Sequence, residues 1–149
     1  MGEFTKIILT AGFTILGGVV VYVCGQLASK FIIEPIHEFK KLLGEIRYTI
    51  LFHKPELYTP IAADKERCDK ASEAFRKASS DLVAKADSVP FYDRLASRSR
   101  GFLPRRAAVE EAAKWLRDLS SAVYKDDRTD NHKVVAKVYD ALGFGPLDD

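Results

Sequence analysis

The residues in this chain best suited to chemistry are arginines. Between Phe91 and Arg106 the stretch "FYDRLASRSRGFLPRR" carries Arg94, Arg98, Arg100, Arg105 and Arg106 against one acid, Asp93, a local charge of +4. The whole chain of 149 residues is close to neutral, at +2. A guanidinium is a planar fork that matches phosphate oxygens, and a neighbouring ring supplies a face on which a nucleobase can stack. Phe91, Tyr92 and Phe102 lie between or beside the arginines, so groups for a phosphate backbone and groups for bases occur together. The expected nucleic-acid-binding set is Arg94, Arg98, Arg100, Phe102, Arg105 and Arg106. Two other uses compete for the same side chains. They could pair with Glu110, Glu111, Asp118 or Asp126 on the same or a neighbouring subunit, or touch anionic lipid.

Catalytic constellations are missing from the sequence. There is no glycine-rich phosphate loop, no G-x-S-x-G elbow, no H-E-x-x-H pair and no C-x-x-C. His37, His53 and His132 fall on different elements with no ligand spacing, and are expected at the surface or at interfaces. Glu110 and Glu111 look like paired acids, yet neighbours on a helix point about 100° apart. Both also fall in a first helical turn, where negative charge suits the helix dipole. Cys24 and Cys68 make no disulfide framework and read as packing residues. The chain is expected not to be an enzyme and to hold no metal or cofactor.

The elements that must position the arginines begin with an apolar run. Ile7 to Ser29 contains no charged residue and is bracketed by Lys6 and Lys30. A core of about 22 residues at roughly 1.5 Å each spans about 33 Å, enough to cross a bilayer. It exceeds the length of a signal-peptide core and lacks an A-x-A-like cleavage site. Lys30, Lys40, Lys41 and Arg47 follow it while Lys6 alone precedes it, which predicts the N-terminus outside and the remainder cytoplasmic. The arginines lie some 60 residues beyond the span, which weakens the lipid reading. Along the span Ala11, Gly18 and Gly25 recur every seven residues, with Thr14, Val21 and Ala28 between them. Such a face lets a second helix approach closely, and it is the predicted packing or pore-lining face of an oligomer.

Pro35 is expected to kink or break the helix. After it "IHEFKKLLGEIRYTILFH" places Ile36, Phe39, Leu43, Ile46 and Ile50 at heptad spacing, widened by Leu42 and Phe52, opposite Glu38, Lys41 and Glu45. This is an amphipathic juxtamembrane helix, whose mixed charge favours packing in a bundle over lying on lipid. Further helices are predicted from Asp64 to Asp87, from Phe91 to Ser99, from Arg105 to Tyr124, and after Asp130 as a cap, ending at Gly143. No alternating strand pattern occurs, so the fold class is all-α. The division is 1–34 for the tail and transmembrane helix, 35–60 for the juxtamembrane helix and linker, and 61–149 for a small cytoplasmic helical bundle. About 85 residues, partly lined by alanine, leave little apolar surface to spare, and association of copies would add to it.

The order of these segments adds a resemblance. "FIIEPIHEFKKLLGEIRYTILFH" after a single span, then "VPFYDRL", "GFLPRR" and "AAKWLRDLSSAVY", resembles small bacterial single-span proteins, and among them the membrane effectors of Hailong-type anti-phage defence. The resemblance implies a homotetrameric inner-membrane ion channel held closed by single-stranded, oligodeoxyadenylate-like DNA that a partner nucleotidyltransferase makes. It assigns no ligand residue. The alternative function is a membrane-anchored protein-interaction module without a pore.

Overall fold

The computed structural model describes residues 2–58, 64–98, 101–125 and 128–145. Among these residues the chain is helical apart from short turns and loops, and contains no strand. Helix α1 runs Gly2–Ala28, a π-helical turn covers Ser29–Ile33, and α2 runs Glu34–Phe52. Then come α3 (Lys54–Tyr58), α4 (Lys65–Ser88), α5 (Tyr92–Arg98), α6 (Arg106–Ala122) and α7 (Arg128–Leu142).

Helix α1 buries no residue against the rest of the chain. Its hydroxyls turn inward to its own backbone: Thr10 donates to the Lys6 carbonyl at 2.8 Å and Thr14 to the Thr10 carbonyl at 2.9 Å. Both polar groups are thus satisfied without water, as a lipid setting requires. An 18-residue window reaches a mean hydropathy of 2.3, so this is a helix long and apolar enough to cross a membrane.

Of the kink or break expected at Pro35, the break does not occur: the disturbance is a π-helical turn, Ser29–Ile33, just before the proline. The helix continues from Gly2 to Phe52, 51 residues, about 76 Å at 1.5 Å per residue. The reason lies just before the proline. In the π turn the Glu34 N–H donates to the Ser29 carbonyl five residues back, and Pro35 then occupies the first turn of α2. There a missing N–H is tolerated, and the widened turn makes room for the ring.

Helix α2 turns Phe39, Leu42, Leu43, Ile46 and Ile50 into the protein, following the heptad stripe, whereas Phe52 stays exposed. These side chains join one apolar cluster that continues through Phe75 and Leu82 of α4, Leu116 and Leu119 of α6, and Val138 and Leu142 of α7. Helix α2 is therefore built into the bundle. The most extensive packing joins α4 to α6: both bury small side chains, Ala71 and Ala78 on α4 and Ala112 and Ala113 on α6, and the buried Ser79 hydroxyl donates to the Ala113 carbonyl at 2.7 Å. Small side chains bring the two backbones close enough for that bond.

Helix α7 closes the bundle and is stopped by Gly143, whose φ of +68° suits glycine. Phe144 N–H bonds to the Tyr139 carbonyl at 2.9 Å, and the two rings meet edge to face at 5.3 Å. The helix starts three residues earlier than expected, at Arg128, so Asp130 sits in its first turn and is not its cap. An acid there still complements the helix dipole.

Candidate functional site

The arginine-rich segment is placed by two buried side chains, Tyr92 and Leu103. Pro90 and Phe91 make the turn after α4, and Phe91 takes a φ of +55°, a strained conformation for a side chain of its size. Tyr92 then goes inward, 3% exposed, and its ring meets Phe39 of α2 edge to face at 5.6 Å. Its hydroxyl donates to the Pro104 carbonyl at 2.8 Å, which ties the start of α5 to the end of the loop before α6. Burial, the largest cause, pushes the Tyr92 phenol up to about 12. Leu103 is buried as a second anchor, and Gly101 turns the loop with a φ of +96° that favours glycine.

With its ends fixed in this way, the loop pushes Phe102 outward, 54% exposed. Arg94, Arg98 and Arg105 are exposed as well. Arg94 stands 5.8 Å from the ring of Phe91. Of the three aromatic side chains among the arginines, Tyr92 is structural, while Phe91 and Phe102 present faces to solvent.

Arg106 is engaged differently. It bonds to Asp87 at the end of α4 and lies 3.5 Å from Glu110 one turn along α6. The hydrogen bond to Asp87, with its charge, raises the guanidinium's already high pKa. Arg106 therefore joins α4 to α6, the ion-pair use expected for Glu110, with Asp87 added. Arg100 and Asp126 lie outside the described residues.

One member of the cluster comes from far away in sequence. The ammonium of Lys40, on α2, sits 3.2 Å from the centre of the Phe102 ring. Cations are attracted to an aromatic face by the ring quadrupole. Nothing in the local sequence pairs residues 40 and 102, although the position of Lys40 at the edge of the polar face of α2 leaves it free to reach out. A nearby groove of about 410 Å³ is lined by Ser97, Leu103, Arg105 and Asp140, among others. Arg105 and Asp140 set charges of both signs along that groove.

A second polar cluster was not legible in the sequence. Glu56 of α3 is buried, and Arg67 of α4 reaches one of its oxygens at 2.7 Å. His53 Nδ1 stands 3.6 Å from the other, beyond hydrogen-bond distance, and neither atom has a hydrogen-bond partner among the described residues. His53, expected at the surface or at an interface, is largely covered within the chain. It closes α2 and is wedged between Phe52 and Phe75, with ring centres at 5.0 and 5.8 Å. His37 and His132 are exposed. Cys68 is buried, and desolvation followed by the Glu56 charge pushes its thiol up; Cys24 is exposed on α1. Among the described residues no three His, Cys, Asp or Glu side chains form a metal-binding group.

Compared with known proteins, the chain matches no family model, no curated protein and no solved structure.

The face predicted for packing, Ala11, Thr14, Gly18, Val21, Gly25 and Ala28, is exposed along the whole of α1. A methyl group added at Gly18 or Gly25 meets nothing within 4 Å. Within one chain, then, this face is uncovered. Tyr48 and Phe52 are likewise exposed on α2, their rings stacked at 5.7 Å, with exposed Leu51 beside them.

Proposed function

We propose that this protein is a homo-oligomeric membrane effector of the bacterial inner membrane, single-pass with its N-terminus outside. Copies pack through the small-residue face of α1 and form an ion channel. A single-stranded DNA oligomer, the product of a partner nucleotidyltransferase, sits on the cytoplasmic bundle and holds the assembly closed; its loss in phage attack permits opening. The tetramer, the DNA ligand and the enzyme partner come from the resemblance to Hailong-type effectors. The observation that carries the reading is the exposed ring of Phe102, with Lys40 over it and Arg105 on the same loop, on a bundle whose helix α2 continues without a break into α1.

Such continuity gives a ligand on the bundle leverage on the span. To move a two-state assembly, the ligand need only bind one arrangement more tightly by a few kcal/mol. With no charge inside the span, the gate is an apolar constriction near Thr14, Gly18, Val21 and Gly25. The first experiment is purification of the full chain in detergent, followed by mass and ultraviolet absorbance. A multimer carrying nucleic acid is expected; a nucleic-acid-free monomer would refute the proposal.

A pore-free interaction module is the second reading, and the exposed Tyr48, Leu51 and Phe52 favour it, because an apolar ridge on a helix is a common protein-docking surface. Crosslinking that captures a different protein on this ridge, with no self-association, would favour that reading.

A further inference from the structure

The contact between Lys40 and Phe102 rests on a rigid base. Phe39, the residue before Lys40, is wholly buried against Tyr92, and Tyr92 is bonded to the Pro104 carbonyl, two residues from Phe102. A chain of buried contacts thus holds α2 and the loop at a fixed separation directly beneath the two exposed side chains. The backbone places them, while the flexible stem of Lys40 leaves its ammonium free to move.

We propose that Lys40 and Phe102 are the two halves of one binding site for a single-stranded oligonucleotide, with Phe102 the stacking platform for a base and Lys40 the partner of the adjoining phosphate. This rests on the reading that the bundle binds single-stranded DNA, and adds to it the residues that select for unpaired bases and that connect the ligand to the membrane-continuous helix. The ring face now covered by the ammonium is a flat apolar surface on an exposed side chain of a basic loop. A base that stacks on it takes the ammonium's place, and the displaced ammonium remains within reach of a phosphate of that nucleotide's backbone. Stacking tolerates any base and requires that it be unpaired, so duplex DNA, whose bases are already stacked, is excluded from this platform. A bare anion, whether inorganic phosphate or a lipid headgroup, gains the lysine and loses the ring. The bound oligomer bridges α2 to the α5–α6 loop, and through α2 it bears on α1.

The test measures binding of a labelled single-stranded DNA oligomer and of an abasic oligomer of equal length and charge to full-length protein in detergent, across a salt series. Four proteins are compared: the natural chain, Phe102→Leu, Lys40→Met and Lys40→Arg. The natural chain is expected to bind the base-bearing oligomer at least tenfold more tightly than the abasic one, and Phe102→Leu to erase most of that preference. Lys40→Met is expected to weaken binding about three- to tenfold and to reduce the salt slope by about 0.7, the value for one phosphate contact on a single strand, with Lys40→Arg restoring both. Both side chains are exposed, so unchanged melting temperatures check that the variants fold. Failure of the natural chain to bind either oligomer would overturn the DNA reading and this proposal with it. Binding that ignores the bases, or that is indifferent to Lys40→Met, would overturn this proposal and leave the DNA reading standing.

Discussion

Replacing Phe39 by alanine tests whether α2 belongs to the bundle core, on which the proposed coupling of ligand to membrane depends. Phe39 is fully buried in the shared apolar cluster and meets Tyr92 edge to face at 5.6 Å. Truncating a core phenylalanine costs about 3–5 kcal/mol, of which an edge-to-face pair accounts for about 0.5–1.5 kcal/mol. Domains of this size are stable by only about 5–15 kcal/mol, so the loss is a large share of the total. Each kcal/mol moves the melting temperature of a domain of 60–100 residues by about 4–8 °C, which puts the expected drop between about 12 and 40 °C. The assay is thermal unfolding of the detergent-solubilised full chain, followed by circular dichroism. Phe52→Ala is the control on the same helix, because Phe52 is 61% exposed, and it should shift melting by no more than a few degrees. If instead Phe39→Ala unfolds no earlier than Phe52→Ala, α2 does not pack in the core and the reasoning fails.

Other substitutions give distinct outcomes. Arg67→Met leaves the buried Glu56 carboxylate without its hydrogen-bond donor and should cost about 1–3 kcal/mol; adding Glu56→Gln in the same chain should recover part of that, read from thermal melts. Tyr92, with its phenol pushed up to about 12 from an ordinary value near 10, contributes stability that is fully present below pH 10 and is lost as pH rises through 12. Tyr92→Phe should remove that alkaline component, seen as a flatter pH dependence of melting, while losing about 0.5–1.5 kcal/mol with its bond to Pro104. Among the arginines, alanine at Arg94, Arg98 and Arg105 should weaken binding of single-stranded DNA and lower its salt dependence without affecting folding. Arg106→Ala should lower stability slightly through loss of Asp87 and Glu110, and change the salt slope less than Arg105→Ala does.

Much of the architecture follows from periodicity. Helix α4 occupies Lys65–Ser88 against an expected Asp64–Asp87, and the α2 heptad of Phe39, Leu43, Ile46 and Ile50 is the face that became buried. Spacing of this kind is legible because each helix must bury one stripe, and the stripe repeats within a few residues. Pro35 shows what a local rule leaves open. Its effect depends on whether the preceding turn can widen, which the residue's own preference does not reveal. The site was legible in composition and obscure in partnership. Phe102 and Arg105 stood out as chemistry beside a turn, but Lys40 over Phe102 and Asp87 on Arg106 join residues far apart in sequence, set by how α2 and α4 pack. The pair of Glu56 and His53 stayed hidden for the same reason, since charged residues beside a proline read as an exposed linker until α4 folds over them.

Ion flux through liposomes reconstituted with the full-length protein tests the central claim most directly, measured with and without a single-stranded DNA oligomer on the side of the bundle. The account predicts flux from the ligand-free protein and its suppression by the oligomer, with suppression impaired in Phe102→Leu. No flux in either condition, or flux that the oligomer does not change, would contradict it.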